Sequence, residues 1–252
     1  MIDLTGQHVF IVGGSRGIGA ASARMAARAG AAVTLNYQRN SEAAQQVAAE
    51  IIKNGGRAHT IQADAALEGA LDSAVVEAVD KLGPLTGLVI SAGVFEGHYL
   101  MDMTAVFWDR VMAVNVRGTF LAVRAAVPHM RTAGNGGSIV IYTSTAGQRG
   151  SSEFSAYATS KGAQIMFMRS MAKELGPDLI RVNCIAPAWT DTDMAAPSLD
   201  ALGRDEVATS FALGRIGKPE DVAGATIFLL SDLASFITGS TITVDGGMDM
   251  RG

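Results

Sequence analysis

Four apolar residues, Val9 to Val12, run straight into three spaced glycines, Gly13, Gly17 and Gly19, and then into an alanine-rich stretch. In order these read as a buried strand, a tight turn and a helix N-terminus. Such a turn lets backbone N–H groups close on a pyrophosphate, which the positive end of the helix dipole favours. A side chain larger than hydrogen at these glycines would block that approach or hold the helix off the strand. The spacing is G-x-x-x-G-x-G rather than G-x-G-x-x-G, and a lone glycine turn after a strand is often no more than a turn. Its meaning depends on the rest of the chain.

Beyond the turn, strands and helices alternate regularly. Strands are expected at 8–12, 32–36, 58–62, 88–90, 138–142, 180–185 and 241–244. Helices are expected between them at about 17–28, 41–53, 67–81, 104–130, 155–175 and 221–230. Ser41 reads as the N-cap of the second helix, and Gly55-Gly56 as its stop. Pro128 should break or kink the long fourth helix near its end. Residues 188–213 are small, acidic and polar with no clear period, which suggests a surface loop or short helices. The pattern predicts an α/β fold: a Rossmann-like, doubly wound, seven-stranded parallel sheet with helices on both faces. No linker-like run divides the chain, so residues 1–252 read as a single domain. In such a sheet ligands bind beyond the carboxyl ends of the strands, where the strand order reverses. Gly13, Asp64, Gly93, Ser144 and Pro187 all lie just after strands and should gather on one edge.

Composition removes several classes. The net charge of −4 and the lack of a basic run argue against nucleic acid as a partner. The single cysteine, Cys184, allows no internal disulfide and is more simply read as a small buried residue than as a nucleophile. No stretch of about 18 apolar residues is present to cross a membrane, and the start carries no leader pattern, so a soluble, cytoplasmic protein is expected. His59, His98 and His129 lack metal-ligand spacing, and no metal site is expected.

The second strand ends in Asn36-Tyr37-Gln38-Arg39, with no carboxylate to meet the ribose hydroxyls of NAD. Arg39 and Arg16 instead suit a 2′-phosphate, because a guanidinium fork grips phosphate oxygens. NADP(H) is therefore favoured over NAD(H). Further along, Tyr157 and Lys161 are four apart on one helix face. A tyrosine near pKa 10 is a poor acid–base group at neutral pH. A nearby ammonium and an oxidised nicotinamide ring would favour its phenolate. Ser144, just after the fifth strand, is placed to hydrogen-bond a carbonyl or alcohol oxygen.

Together these features resemble the short-chain dehydrogenase/reductase family over essentially the whole chain. The residues that carry the resemblance are Gly13-x-x-x-Gly17-Ile18-Gly19, Asp64, Ala92-Gly93, Asn115, Ser144, Tyr157-x-x-x-Lys161, Arg181-Val-Asn-Cys-Ile-Ala-Pro187, Thr192 and Val244-Asp-Gly-Gly247. The resemblance implies that Tyr157 is the acid–base group and that Lys161 binds the nicotinamide ribose and lowers the tyrosine pKa. It implies that Ser144 holds the substrate oxygen and that Asn115 keeps a helix irregular around a relay water. Gly13, Ser15, Arg16, Gly17, Ile18, Gly19, Tyr37, Arg39, Asp64, Ala65, Ala92, Gly93, Tyr157, Lys161, Pro187 and Thr192 would line the cofactor. Dimers or tetramers built on the two long helices are common in the family, so a homo-oligomer is expected. The chain departs from the pattern at Val12, at Ile90-Ser91 and at Ala188, none of which touches Ser144, Tyr157 or Lys161.

The expected activity is NADP(H)-dependent interconversion of a small-molecule carbonyl and its alcohol. One alternative is 3-oxoacyl-carrier-protein reduction, although Asp178 puts an acid where an acidic carrier would want a base. Another is a cofactor-binding regulator without turnover. Segments 94–103, 148–154 and 188–213 would set specificity. Trp189, at the start of the last, reads equally well as pocket lining or as packing.

Overall fold

Alternate side chains of a strand point to opposite faces, so an unbroken apolar strand must be covered on both. The first strand shows the consequence. In the computed structural model, which describes residues 2–250, Phe10 and Val12 enter one core and Val9 and Ile11 enter another, all essentially inaccessible. In chain order the elements are β1 (His8–Val12), α1 (Gly17–Arg28), β2 (Ala32–Tyr37), α2 (Ser41–Lys53), β3 (Arg57–Gln62), α3 (Ala70–Leu82) and β4 (Gly87–Ile90). Then come α4 (Ala105–Met112), a π-helical turn (Ala113–Arg117), α5 (Gly118–Ala133), β5 (Gly137–Tyr142), α6 (Thr145–Arg149) and α7 (Ser155–Leu175). The chain continues through β6 (Ile180–Pro187), α8 (Ala196–Leu202), α9 (Arg204–Thr209), α10 (Pro219–Leu230) and β7 (Thr241–Val244).

The strands form one parallel seven-stranded sheet in the order β3-β2-β1-β4-β5-β6-β7. The first core lies between the sheet and α3, α5 and α7, through residues such as Leu71, Met130 and Met168. The second lies between the sheet and α1, α2 and α10, through Ala23, Val47 and Leu229. The expected doubly wound sheet is therefore present. The order reverses between β1 and β4, which brings the turn after β1 and the loop after β4 side by side.

Several local expectations give way. The N-cap of α2 is Asn40, not Ser41: its Oδ1 accepts from Ala43 N at 2.9 Å. The third helix starts at Ala70, after Gly69 in the left-handed region, rather than at 67. The long fourth helix is divided by the π turn, where an extra residue per turn rotates the side chains out of helical phase. Pro128 does not end α5, which continues to Ala133 because Ala125, Ala126, Val127 and Met130 around it are buried. The sixth strand runs on to Pro187, and α10 opens two residues earlier than expected, at Pro219.

His8 sits buried at the start of β1, with Nδ1 against Gly83 O (2.8 Å) and Nε2 against Thr34 Oγ1 (2.9 Å). Burial holds its pKa below the usual 6.5, overriding the Gly83 bond. The unfolded chain takes up a proton near 6.5 that the folded one refuses, so stability falls as pH drops through that value. An NMR titration should show the His8 ring resonances moving only below pH 6.5, with the melting temperature dropping in the same range.

Candidate active site

The turn after β1 is built by close backbone approach. Gly13 N and Gly14 N both donate to Asn36 O, at 3.2 and 2.9 Å, tying the turn to β2. Gly13 has φ +80°, and a Cβ there would lie 2.7 Å from Ala92 N. A Cβ on Gly19 would overlap the carbonyl oxygen of Gly13. Gly17 faces Thr192, whose Cγ2 would be 3.3 Å from an added Cβ. Ser15 and Ile18 are half-buried in the same turn. Helix α1 has no side-chain cap, because Arg16 occupies the N-cap position and accepts nothing. Its first N–H groups thus face the turn without a side-chain acceptor, as a bound pyrophosphate requires. These residues fit a dinucleotide.

The neighbouring loops close around this turn. Ser91 N and Ala92 N donate to Val12 O at 2.8 and 2.9 Å, so Ala92-Gly93 lies against the first glycine. After β3, Asp64 accepts from Gln38 Nε2 (2.7 Å) and from Ala66 N (2.9 Å), and Ala65 meets the start of α5 at Gly118. Tyr37 ends β2 half-buried. The side chains of Arg16 and Arg39 are exposed and have no partner among the described residues. Pro187 ends β6 opposite Val244. The predicted cofactor residues therefore lie along one edge of the sheet.

The polar residues meet across α7. Lys161 is buried, and its Nζ donates to Tyr142 O at 2.8 Å while lying 5.6 Å from the Tyr157 ring centroid. Burial lowers its pKa to about 8. Burial likewise raises Tyr157 to about 12, against a hydrogen bond to Ser144 that lowers it. The expected lowering by Lys161 is not among the influences on Tyr157 in the protein alone, where burial dominates. The ammonium lies over the ring and spends one hydrogen on a carbonyl. Ser144 caps the short helix α6, its Oγ accepting from Ala146 N at 3.1 Å. Asn115 lies in the π turn, fully buried. Its Oδ1 accepts from Val94 N (2.8 Å), and its Nδ2 donates to Val94 O (3.1 Å) and Ser160 Oγ (3.0 Å). Its carbonyl accepts from Thr119 Oγ1 (2.7 Å) and Gln164 Nε2 (2.8 Å), so the irregular turn is braced on both sides.

Family models and known structures agree with this architecture. Residues 12–249 match the family model described as "Enoyl-(Acyl carrier protein) reductase". A short-chain type dehydrogenase/reductase from Mycobacterium ulcerans superposes with a TM-score of 0.92 at 33% identity, over 98% of this chain and 91% of that one. The chain belongs to the short-chain dehydrogenase/reductase family. Its relatives span several activities. The 3-oxoacyl-[acyl-carrier-protein] reductase of Synechocystis sp. is 38% identical over 99% of this chain and its own full length. L-Rhamnose 1-dehydrogenase (NAD(P)(+)) of Azotobacter vinelandii is 36% identical over 98% of this chain and 97% of its own.

Within this short-chain dehydrogenase/reductase, two features escaped the sequence. Gly147 lets α6 touch α7: a Cβ there would lie 2.7 Å from Lys161 Cβ. Its place three residues after Ser144 was the available signal. The second is a cluster of rings. Phe95 stacks on Phe154 (centroids 4.5 Å apart, 2° between planes) and meets Tyr157 edge-on at 4.9 Å and Trp189 at 5.7 Å. Trp189 also packs against Leu199, Val207 and Phe211 of the segment from α8 onward, which is the packing role expected as one of its two readings.

Proposed function

We propose that the chain is an NADP(H)-dependent oxidoreductase that interconverts a carbonyl and a secondary alcohol, with Tyr157 as the acid–base group. The observation that carries this reading is the buried Lys161 with its Nζ 5.6 Å from the Tyr157 ring centroid, on the same sheet edge as the uncapped glycine turn. A bound nicotinamide dinucleotide supplies the hydride for reduction and takes it up in oxidation. Tyr157 delivers its hydroxyl proton to the carbonyl oxygen as the carbon becomes a carbinol, and removes that proton in reverse. Ser144 already accepts from Ala146 N, which leaves its own O–H to share with Tyr157 and the substrate oxygen. Lys161, charged below about pH 8, favours the tyrosinate left after proton transfer, and its Nζ lies beside Gly93, 3.6 Å from where a Cβ on that glycine would stand. Asn115 is a positioning residue that holds Val94 and Ser160.

Arg16 and Arg39 support the NADP(H) preference, since both are free and no carboxylate ends β2. Charge-assisted hydrogen bonds contribute roughly 1.5–3 kcal/mol. The Arg16→Ala/Arg39→Ala pair should therefore raise KM for NADPH by roughly 10- to 100-fold, with far less effect on NADH. A pair that shifts both cofactors equally would remove the 2′-phosphate argument.

The residues act as one catalytic domain, with 188–213 as its substrate loop. Against the acyl-carrier alternative, Asp178 holds the nearby Arg131 at 2.7 Å, which neutralises a base that an acidic carrier would use. Phe120 on α5 and Met166 on α7 are exposed apolar side chains that suit pairing of copies in a homo-oligomer. Phe120→Asp should reduce the assembled mass in light scattering. No helix among the described residues is long and apolar enough to cross a membrane.

A further inference from the structure

The geometry points to a substrate whose reacting carbon carries a compact aryl or similarly flat conjugated group, received by Phe95, Phe154 and Trp189; this rests on the carbonyl reading of Tyr157. A carbonyl oxygen held at Tyr157 and Ser144 places the neighbouring substituent beside Phe95, whose ring meets the Tyr157 ring edge-on. Phe95 and Trp189 stand at 86°, which forms a corner where a flat ring stacks on one face and meets the other edge-on. All three residues are partly buried; Phe95 and Phe154 offer no hydrogen bond, and Trp189 offers only its indole N–H. A polyol chain in that corner would lose water at every hydroxyl and find at most the one indole donor in return.

The backbone around the rings is built to hold them. Phe154 lies so close over Gly97 that a Cβ there would stand 2.8 Å from its ring. Glu153, just before it, sits in the left-handed region (φ +64°), and its carbonyl accepts from His98 N at 2.7 Å. Non-glycine residues persist in that region only where their surroundings enforce it. The Asn115 side chain clamps Val94, the residue before Phe95, at both its N–H and its C=O. The corner is therefore preformed, and little ordering cost opposes an aryl group. The cations nearby are largely committed: Arg110 pairs with Glu96, and Arg204 pairs with Asp191 and Asp200. Arg149, at the end of α6, has no partner among the described residues, so an anionic tail belongs in the test.

The experiment compares acetophenone with cyclohexyl methyl ketone, of equal carbon count, alongside an acyl-CoA thioester and an aldose. kcat/KM for acetophenone should exceed that for the cyclohexyl ketone by about tenfold or more, since two aromatic contacts add to burial. Phe95→Leu and Phe154→Leu should each cut that preference to below about threefold, mainly through KM. In a Trp108→Phe background, which leaves Trp189 as the sole tryptophan, acetophenone should quench fluorescence and the cyclohexyl ketone should not. Equal kcat/KM for the two ketones, or a preference that survives both leucine variants, overturns the aryl pocket alone. So does turnover of only the thioester or the aldose. A protein that binds dinucleotide yet reduces no carbonyl overturns the pocket and the oxidoreductase reading together.

Discussion

Tyr157→Phe should cut turnover by roughly 10²–10⁴-fold and leave dinucleotide affinity nearly unchanged. The substitution removes one oxygen and keeps the ring, so the 4.9 Å edge contact with Phe95 persists. What is lost is the proton for the substrate oxygen and the hydrogen bond to Ser144. The pH dependence rests on the same residue. With its pKa raised to about 12 by burial, Tyr157 is protonated throughout the neutral range and ready for reduction. Alcohol oxidation needs the deprotonated form and should climb as pH rises toward that value. Cofactor titration by fluorescence beside steady-state kinetics checks both parts. A phenylalanine variant that turns over at the parent rate would assign the proton to another group, and undiminished binding with no turnover separates an enzyme from a cofactor-binding regulator.

Gly19→Ala should abolish measurable dinucleotide binding and lower stability by about 1–3 kcal/mol, the range for overpacking a closed site. The added methyl would overlap the Gly13 carbonyl oxygen, a backbone atom that cannot rotate away. Gly13 is itself pressed against Ala92 N and tied to Asn36 O. The turn can therefore relieve the clash only by lifting α1 off β1, which moves the uncapped N–H groups from their positions. Gly55, with nothing within 4 Å of an added Cβ, is the control for the steric part. Its φ of +83° means alanine there costs stability through backbone strain but should leave cofactor binding intact. Calorimetry and a binding isotherm on the two variants distinguish local overlap from general glycine loss.

The sheet was legible because its strands are short apolar runs bounded by turn residues, and a parallel sheet covered on both faces needs nothing subtler. The sequence also placed Ser144, Tyr157 and Lys161 on the right elements, since a spacing of four on a helix fixes a shared face. Features that depend on two distant segments meeting were not legible. Helix α6 is a five-residue turn containing a glycine, and it exists because Ser144 caps it and Gly147 fits against Lys161. The irregular helix that the resemblance implied at Asn115 is present as the π turn, but the bonds that brace it come from Val94, Ser160 and Gln164, segments distant in sequence. The stacking of Phe95 on Phe154 joins two loops that lie far apart in sequence. Asn40 displaced Ser41 as the cap because adjacent capping residue types compete, and only the backbone geometry decides between them.

The strand order has a consequence for synthesis. β1 leaves the ribosome first, yet it is an interior strand, and one flank must wait for β4, which pairs Val9 with Gly87 and Val12 with Ile90. Until that segment is made, the β1–β2–β3 portion carries an open, wholly apolar edge, the kind that recruits strands from other chains. Nascent chains stalled before residue 87 should therefore bind holdase chaperones strongly, and release should come once β4 has emerged and slotted in.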